Sequence, residues 1–291
     1  MKRKSANLFA FLFVFVFATA LFYSCQKSVD VKPNQLTSVS ASTSSDASVF
    51  PNASIDNLII REETYQMYMA MDPGGFDYAE NKSGCPVSVT YEPSIDVYPH
   101  KVIVDYGTGC TDNFGITRSG KILFSYTAPT TELHSKVITN YDNFYIDGIK
   151  LEGKFKISQN RTPTDSTTNY RMTYKDRKSI FPDGDYIIVN GHRRAIKEGG
   201  GKIDFPHGTF RLNGTLDYTQ SFDGVLTQYS TTTDELDPLW YVGDCIWIVQ
   251  GTLHYAYTDG STQHLDYGDG VCDDQAVLTD RDGNVKTITL R

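Results

Sequence analysis

Asp-Gly pairs recur along the second half of the chain, and they limit its fold more than any other feature. Five of them lie at 147–148, 183–184, 223–224, 259–260 and 282–283, and a sixth, at 269–270, belongs to a repeated cysteine motif. Asp-Gly is a strong signal for a tight hairpin, because both residues tolerate the positive φ angles that such turns require. The chain therefore predicts a succession of antiparallel hairpins.

The strands on either side of Asp147-Gly148 support this prediction. After the turn, "DGIKLEGKFKI" alternates apolar and polar residues, which is typical of a strand with one buried face. Folding about the turn opposes Ile149 to Ile146 and Ile157 to Ile138, so both arms present apolar side chains to one face. Since no helix-length periodic segment separates the strands, a parallel α/β fold is disfavoured. We predict an all-β fold, an antiparallel meander that forms a sandwich or an open barrel.

One short helix is expected before the strands. In "SIDNLIIREETYQMYMAM", residues 54–71, apolar residues approximate one helical face, and the Asp-Pro-Gly-Gly that follows ends the helix. The preceding residues 25–53 are rich in Ser and Thr and lack apolar periodicity. We predict a disordered tether there and a single β-rich domain over 54–291.

A repeated motif fixes the expected cysteine pairing. "CPVSVTYEPSIDVYPHKVIVDYGTGC" and "CIWIVQGTLHYAYTDGSTQHLDYGDGVC" both begin with Cys and end on Asp-Tyr-Gly-x-Gly and a second Cys. The midpoint of each segment falls in a turn-like stretch, so the two cysteines of each segment can approach to disulfide distance across a hairpin. We predict one hairpin unit used twice, with disulfides Cys85–Cys110 and Cys245–Cys272.

The N-terminus predicts export. A basic start precedes a 15-residue apolar run, residues 8–22, which is too short for most spanning helices. Cys25 follows, as in a bacterial lipoprotein signal, and assigning it to a lipid leaves four cysteines for two disulfides. We predict a signal peptide over 1–24 and lipidation at Cys25, which places the protein at the outer membrane, facing the periplasm or the cell surface. The alternatives are cleavage after Ala20, which would release a soluble protein, and a retained apolar anchor.

The charge excludes one class of partner. The chain carries a formal charge of −8, and loss of Lys2, Arg3 and Lys4 with the signal makes it about −11. Such a surface repels nucleic acid, so membrane attachment is expected through the lipid.

Catalytic motifs are missing from the sequence. It contains no Gly-x-Ser-x-Gly, His-Glu-x-x-His, phosphate-binding glycine loop or Cys-x-x-Cys. Folding about Asp259-Gly260 opposes His254 to Leu265, so that His254 and His264 would point to opposite faces and share no metal. The Asp-rich "DYGDGVCDD" lacks the order of a calcium loop and fits a turn. We predict no catalytic residue, no metal site and no cofactor.

Trp240 and Tyr241 are the candidate ligand-binding residues. They precede the strand that carries Cys245 and lie outside clean alternation. An exposed aromatic pair can stack on a sugar or a peptide.

Together these motifs carry a resemblance. "DYGTGCTDNFGITRSGKI", "YDNFYIDGIKLEGK", "CIWIVQGTL" and "LDYGDGVCDD", with the lipoprotein cysteine, resemble a family of Bacteroidota lipoproteins of unknown function, from about Cys85 to the end. The resemblance implies an exported, disulfide-containing β-domain and no particular activity. We therefore expect a membrane-anchored binding or scaffolding protein for a glycan or peptide. The alternative is an exported hydrolase that acts on glycans, and the sequence favours a protein without enzymatic activity.

The lipid assignment can be tested directly. Cys25→Ala removes the thiol that would carry the lipid. We expect the variant to lose labelling by a radioactive fatty acid and to move from the membrane fraction to the soluble fraction. If it stays membrane-bound, the apolar segment is a retained anchor.

Overall fold

The computed structural model describes residues 53–71, 75–159, 167–199, 208–243, 245 and 247–290. Two helices come first, α1 (Ala53–Met71) and α2 (Gly75–Asn81). The strands are β1 (Ser88–Glu92), β2 (His100–Asp105), β3 (Cys110–Thr111), β4 (Thr117–Tyr126), β5 (Lys136–Ile146), β6 (Ile149–Gln159), β7 (Thr167–Ile180), β8 (Tyr186–Glu198), β9 (Thr209–Phe222), β10 (Val225–Thr233), β11 (Leu239–Val242), β12 (Ile248–Tyr257), β13 (Thr262–Asp269), β14 (Gln275–Thr279) and β15 (Val285–Thr289). In the part of the chain so described, neither helix has the length and hydropathy needed to cross a membrane.

All strands belong to one antiparallel sheet. Their order is β1-β2-β4-β5-β6-β7-β8-β9-β10-β12-β13-β14-β15, with β3 beside β4 and β11 between β9 and β12. Strands that follow one another in sequence are therefore neighbours in space almost throughout. The predicted all-β antiparallel meander is confirmed, as a single continuous sheet.

The helix α1 lies against the inner face of this sheet. From Ile59 to Met71 every side chain is buried, except that of Arg61, which is partly buried. Tyrosine hydroxyls of three strands donate to the helix: Tyr126 of β4 to the Ala70 carbonyl, Tyr141 of β5 to Gln66 and Tyr174 of β7 to Glu63. The phenol of Tyr241 on β11 acts electrostatically on Arg61. The sheet therefore curls around α1.

The predicted helix is confirmed, but its surroundings differ from the expectation. The pattern predicted one apolar face, whereas α1 is enclosed on all sides, including its polar residues. A second helix was not predicted. Gly75 makes it possible, because a Cβ there would lie 2.6 Å from the Cα of Met69.

Glu62 is neutralised inside the protein by an arginine of β4. The Nε and Nη2 groups of Arg118 both donate to one Glu62 oxygen, at 2.9 and 2.7 Å, and Nη1 donates to Asp112 at 2.6 Å. The Arg118 guanidinium also lies 4.5 Å above the ring of Tyr65. Desolvation is the largest single influence and lowers the pKa of Arg118, but the attraction of Glu62 together with Tyr106, Tyr65 and Asp112 outweighs it, so the net direction is upward.

Glu63 has a separate partner on β7. Nη1 of Arg177 donates to one oxygen of Glu63, and the Tyr174 hydroxyl donates to the other at 2.7 Å. Desolvation by burial lowers the pKa of Arg177, whereas the charges of Tyr141 and Glu63 raise it, and the net direction is upward. Both glutamates of α1 are thus held as ion pairs in the core.

A β-bulge brings Arg177 to the inner face. Along β7 the buried positions are even-numbered up to Tyr174 and odd-numbered from Arg177 onward. The switch occurs at Asp176, whose φ is 48°, and there a Cβ on Gly153 of β6 would meet the Asp176 carbonyl oxygen at 2.1 Å. An extra residue in one strand reverses which side chains point inward and bends the strand.

A similar switch occurs at Asn143 in β5, which corrects the predicted register. Next to the turn, Ile146 does pair with Ile149, as expected. Beyond Asn143, whose φ is 46°, the register shifts by one, so Ile157 pairs with Val137 instead of Ile138. The bulge changes the parity of β5, so Val137, Phe144 and Ile146 are buried, whereas Ile138, which was predicted on the same face, is only partly buried.

The predicted hairpin unit is confirmed in both copies. Disulfides join Cys85 to Cys110 and Cys245 to Cys272, with Cα–Cα distances of 5.3 and 5.8 Å. The first pair flanks the hairpin of β1 and β2, and the second flanks that of β12 and β13.

The repeated Asp-Tyr-Gly segment also has one local structure. Asp105 accepts a hydrogen bond from the Gly107 N–H at 2.8 Å, and Asp266 accepts one from the Gly268 N–H at 2.8 Å. In both copies the intervening tyrosine is buried. The aspartates therefore close a turn, as the sequence predicts.

Removing one buried arginine tests the weight of these ion pairs. Arg177→Met leaves Glu63 charged and without its partner in the core, so we expect the free energy of unfolding to fall by about 3–5 kcal/mol. Urea denaturation measures this loss. The control is Arg194→Met, which breaks the exposed pair with Glu235 and should cost less than about 1 kcal/mol. Equal small losses in the two variants would show that the buried ion pair contributes no more to the free energy of unfolding than the exposed one.

Candidate functional site

The structure places the two predicted ligand-binding residues differently. Tyr241 is only 2% exposed and belongs to the core, so the prediction of an exposed aromatic pair is wrong for this residue. The reason is regular alternation along β11, which pairs without a shift with β9 and buries Leu239 and Tyr241 while Trp240 stays partly exposed. Trp240 is half-buried, and the Arg211 guanidinium lies 5.6 Å from the centroid of its indole ring.

The other predicted site residues are cysteines. Cys85, Cys110, Cys245 and Cys272 form the two disulfides described above. Cys25, with the signal peptide and most of the tether, lies outside the described residues.

A shallow depression at one end of the sheet offers a more accessible surface. It encloses about 300 Å³ where β1, β2, β4 and β5 meet. Its lining residues are Glu92, Pro99, His100, Lys101, Ser125, Tyr126, Thr127 and Ile138. We call it the Tyr98 depression, after the aromatic residue beside it. Its size is at the lower end of the range of small-ligand pockets.

A row of three rings in contact lies at the depression, and two of them, His100 and Tyr126, line it. His100 lies between Tyr98 and Tyr126, with centroid distances of 4.5 and 4.7 Å. The innermost ring of this row, Tyr126, is fixed by its hydroxyl, which donates to the Ala70 carbonyl of α1 at 3.0 Å. The outermost ring, Tyr98, is 38% exposed and can contact a ligand.

Large exposed apolar side chains lie in the two loops at this end of the sheet. Ile95 and Val97 are each 51% exposed in the β1–β2 loop, and Leu133 is 48% exposed in the β4–β5 loop. The two loops lie at the same end of the sheet because β2 pairs with β4, with His100 opposite Tyr126. Exposed apolar clusters of this kind are typical of binding surfaces.

The charged groups of the depression are paired at its rim. The Lys101 ammonium lies 3.6 Å from a Glu92 carboxylate oxygen, and both side chains are exposed. Two buried carboxylates, those of Glu62 and Glu63, lie elsewhere, where arginines hold them inside the core. Acid–base chemistry on a substrate requires a carboxylate that the substrate can reach, and these two are not reachable.

The two histidines near the C-terminus also differ from the expectation. His254 pairs directly with His264, so both lie on the same face of the β12–β13 hairpin, and the predicted opposite faces are wrong. The loop is one residue longer than a two-residue Asp-Gly turn, because Tyr257 pairs with Ser261. Of the Asp259-Gly260 pair, Gly260 alone has a positive φ, as in a three-residue hairpin loop with a bulge.

Comparisons of the chain with protein-family models, with curated proteins and with solved structures give no match.

The Tyr98 depression was not predicted from the sequence. Its residues come from the segment "YEPSIDVYPH" and from strands that are distant in the chain. The available signal was the unusual number of apolar residues, Ile95, Val97 and Tyr98, in a proline-flanked loop. Loops are generally polar, so apolar residues there indicate contact with a partner.

The buried imidazole of His100 gives the protein a pH dependence. Desolvation lowers the pKa of His100 below its ordinary value of 6.5, although a hydrogen bond with the backbone of Val97 opposes this. The unfolded chain therefore binds a proton more readily than the folded chain. The contribution to stability is complete above pH 6.5 and is lost as the pH falls toward the lowered pKa.

We expect the free energy of unfolding to decrease between pH 7.5 and pH 5 and to decrease less in His100→Phe, which keeps a ring between the tyrosines. Urea denaturation at a series of pH values measures both slopes. Identical slopes in the two proteins would contradict the assignment.

Proposed function

We propose that this protein is an outer-membrane lipoprotein, anchored through Cys25, whose β-domain binds an extended protein segment at the Tyr98 depression. The export signal and the cysteine pattern of the sequence support the lipid anchor, and the Tyr98 depression supports the binding role. The observation that carries it is the exposure of four large apolar side chains, Ile95, Val97, Tyr98 and Leu133, in the two loops at the end of the sheet that holds the depression.

Aliphatic side chains favour a peptide over a glycan as the ligand. Sugar rings bind on aromatic faces with polar groups around them, whereas protein interfaces bury aliphatic and aromatic residues at their centre. Three of the four exposed residues here are aliphatic.

The position of β1 supports an extended ligand. β1 is the first strand of the sheet, and within the described strands it pairs with β2 alone. Its last residue, Glu92, lines the depression. A free strand edge beside a pocket can accept a peptide as an additional strand, with its side chains directed into the pocket.

The disulfide at the base of the same hairpin supports a preformed surface. Cys85 immediately precedes this hairpin and is bonded to Cys110, so the base of the β1–β2 unit is covalently closed. A surface held in its binding conformation loses less entropy when it binds.

A hydrolase that acts on glycans is the less favoured candidate function. The deeply buried pair of carboxylates that the structure describes, Glu62 and Glu63, is neutralised by Arg118 and Arg177. A binding or scaffolding role needs no accessible carboxylate pair, and the Tyr98 depression is a surface on which a partner can bind.

A charge placed in the apolar cluster tests the proposal. Val97→Asp puts a carboxylate beside Tyr98 without touching the core. We expect the full chain to bind members of an immobilised peptide library and Val97→Asp to bind them at least about tenfold more weakly, as for a residue at the centre of an interface. Fluorescence titration of the selected peptides measures the change.

The matched control is Leu226→Asp, at the tip of the β9–β10 hairpin, where Leu226 is 61% exposed. It should bind the peptides as the unmodified chain does. Equal binding by all three proteins would show that the peptides do not bind at the Tyr98 depression. Binding to a glycan array in place of the peptide library, again lost in Val97→Asp, would keep the site and reject the peptide ligand.

A further inference from the structure

His254 and His264 face each other across the β12–β13 hairpin. They are direct cross-strand partners, and their Nδ1 atoms lie 2.7 Å apart. The rings are nearly perpendicular, at 78°, with centroids 4.9 Å apart. Both side chains are partly buried on the outer face of the sheet, since their neighbours Leu253, Tyr255 and Leu265 point into the core.

We propose that His254 and His264 form a two-histidine site for a divalent transition-metal cation, with zinc as the type case. Two nitrogens that bind one tetrahedral zinc at 2.0–2.1 Å must lie about 3.3 Å apart. In the free protein the two Nδ1 atoms share a hydrogen bond, at a distance close to this value. When the donor histidine changes tautomer and carries its proton on Nε2, both Nδ1 atoms are free to bind, and rotations about the side-chain torsions bring them to bonding distance. Neutral imidazole is a favoured ligand for zinc, nickel and copper.

The surrounding charges favour a cation. Asp234 interacts electrostatically with His254. It directly follows β10, two residues beyond Thr232, which is the exposed cross-strand partner of His254. Asp266, two residues beyond His264 on β13, lies on the same face. Nearby carboxylates and the negative net charge of the chain both raise the local concentration of cations.

Water must supply the other ligands. Among the described residues, no group of three or more His, Cys, Asp or Glu side chains is placed to hold a metal. An open site with two protein ligands binds more weakly than a closed four-ligand site and leaves positions for exchangeable ligands. Such a site fits reversible capture of zinc and would cross-link β12 to β13 when filled.

Calorimetric titration of the full chain in detergent with zinc chloride tests the site. We expect saturable binding of one zinc ion per chain. Either His254→Ala or His264→Ala should weaken it roughly tenfold or more, because one of two protein nitrogens is lost. Both side chains are partly solvated, so neither variant removes core packing.

The chain offers a matched control on the same sheet. His192 on β8 is exposed, and its cross-strand partners are Thr173 and Thr215. His192→Ala should leave zinc binding unchanged. Conversely, Thr215→His places a second imidazole opposite His192 and should add a second zinc site of similar affinity, because the pair of opposed histidines is all that the proposal requires.

Chemical modification gives a readout without any substitution. Zinc should protect His254 and His264 of the unmodified chain, but not His192, from diethyl pyrocarbonate, as measured by mass spectrometry of the peptides. No saturable zinc binding, zinc binding that survives both alanine substitutions, or equal modification of all three histidines with and without zinc would each overturn the proposal.

Discussion

Two consecutive carboxylates buried on one helix determine how the sheet must be arranged. Successive residues of an α-helix point about 100° apart. Glu62 and Glu63 therefore cannot share a partner on one side, and each needs its own cation from a different direction. Arg118 on β4 and Arg177 on β7 supply these cations, with Tyr174 beside the second. A sheet that reaches both directions must curl around the helix.

Two β-bulges account both for the curvature of the sheet and for the placement of its polar contacts with α1. The bulges at Asn143 and Asp176 bend β5 and β7, and each reverses which side chains point inward. The bulge in β7 places Arg177 on the inner face, where an uninterrupted strand would have placed it outside. Gly120 and Gly153 allow the bulged backbone of the neighbouring strand to approach, since a Cβ at either position would meet it at 1.9 or 2.1 Å. The strands bend around α1 at the points where the sequence admits an extra residue.

Local signals in the sequence were enough to predict the elements but not their long-range pairing. Asp-Gly turns, alternation and cysteine spacing predicted the meander and both disulfides, because each depends on residues close in sequence. The predicted register was wrong in two places: beyond the bulge at Asn143, and in the β12–β13 hairpin, because the Asp-Gly dipeptide occurs in two turn types. Asp147-Gly148 forms a two-residue loop with both φ angles positive, whereas Asp259-Gly260 belongs to a three-residue loop. The Tyr98 depression and the partners of Glu62 and Glu63 come from distant strands, so no local pattern indicates them.

Both proposed sites lie on the repeated hairpin unit. The first copy, β1–β2, carries the Tyr98 depression, and the second, β12–β13, carries the pair of histidines. Each disulfide closes the base of its hairpin unit. Because the disulfide and the Asp-Tyr-Gly turn stabilise both copies in the same way, their outward-facing residues can differ. The sheet between them is organised by α1.

Native-state hydrogen exchange of the α1 amides tests that claim most directly. If the sheet is built around the helix, the amides from Ile60 to Ala70 should exchange only by global unfolding, with the same free energy as the amides of β6 and β8. Exchange of these helix amides at a free energy well below that of the strands, with the sheet still protected, would show that the sheet stands without the helix and would contradict the account.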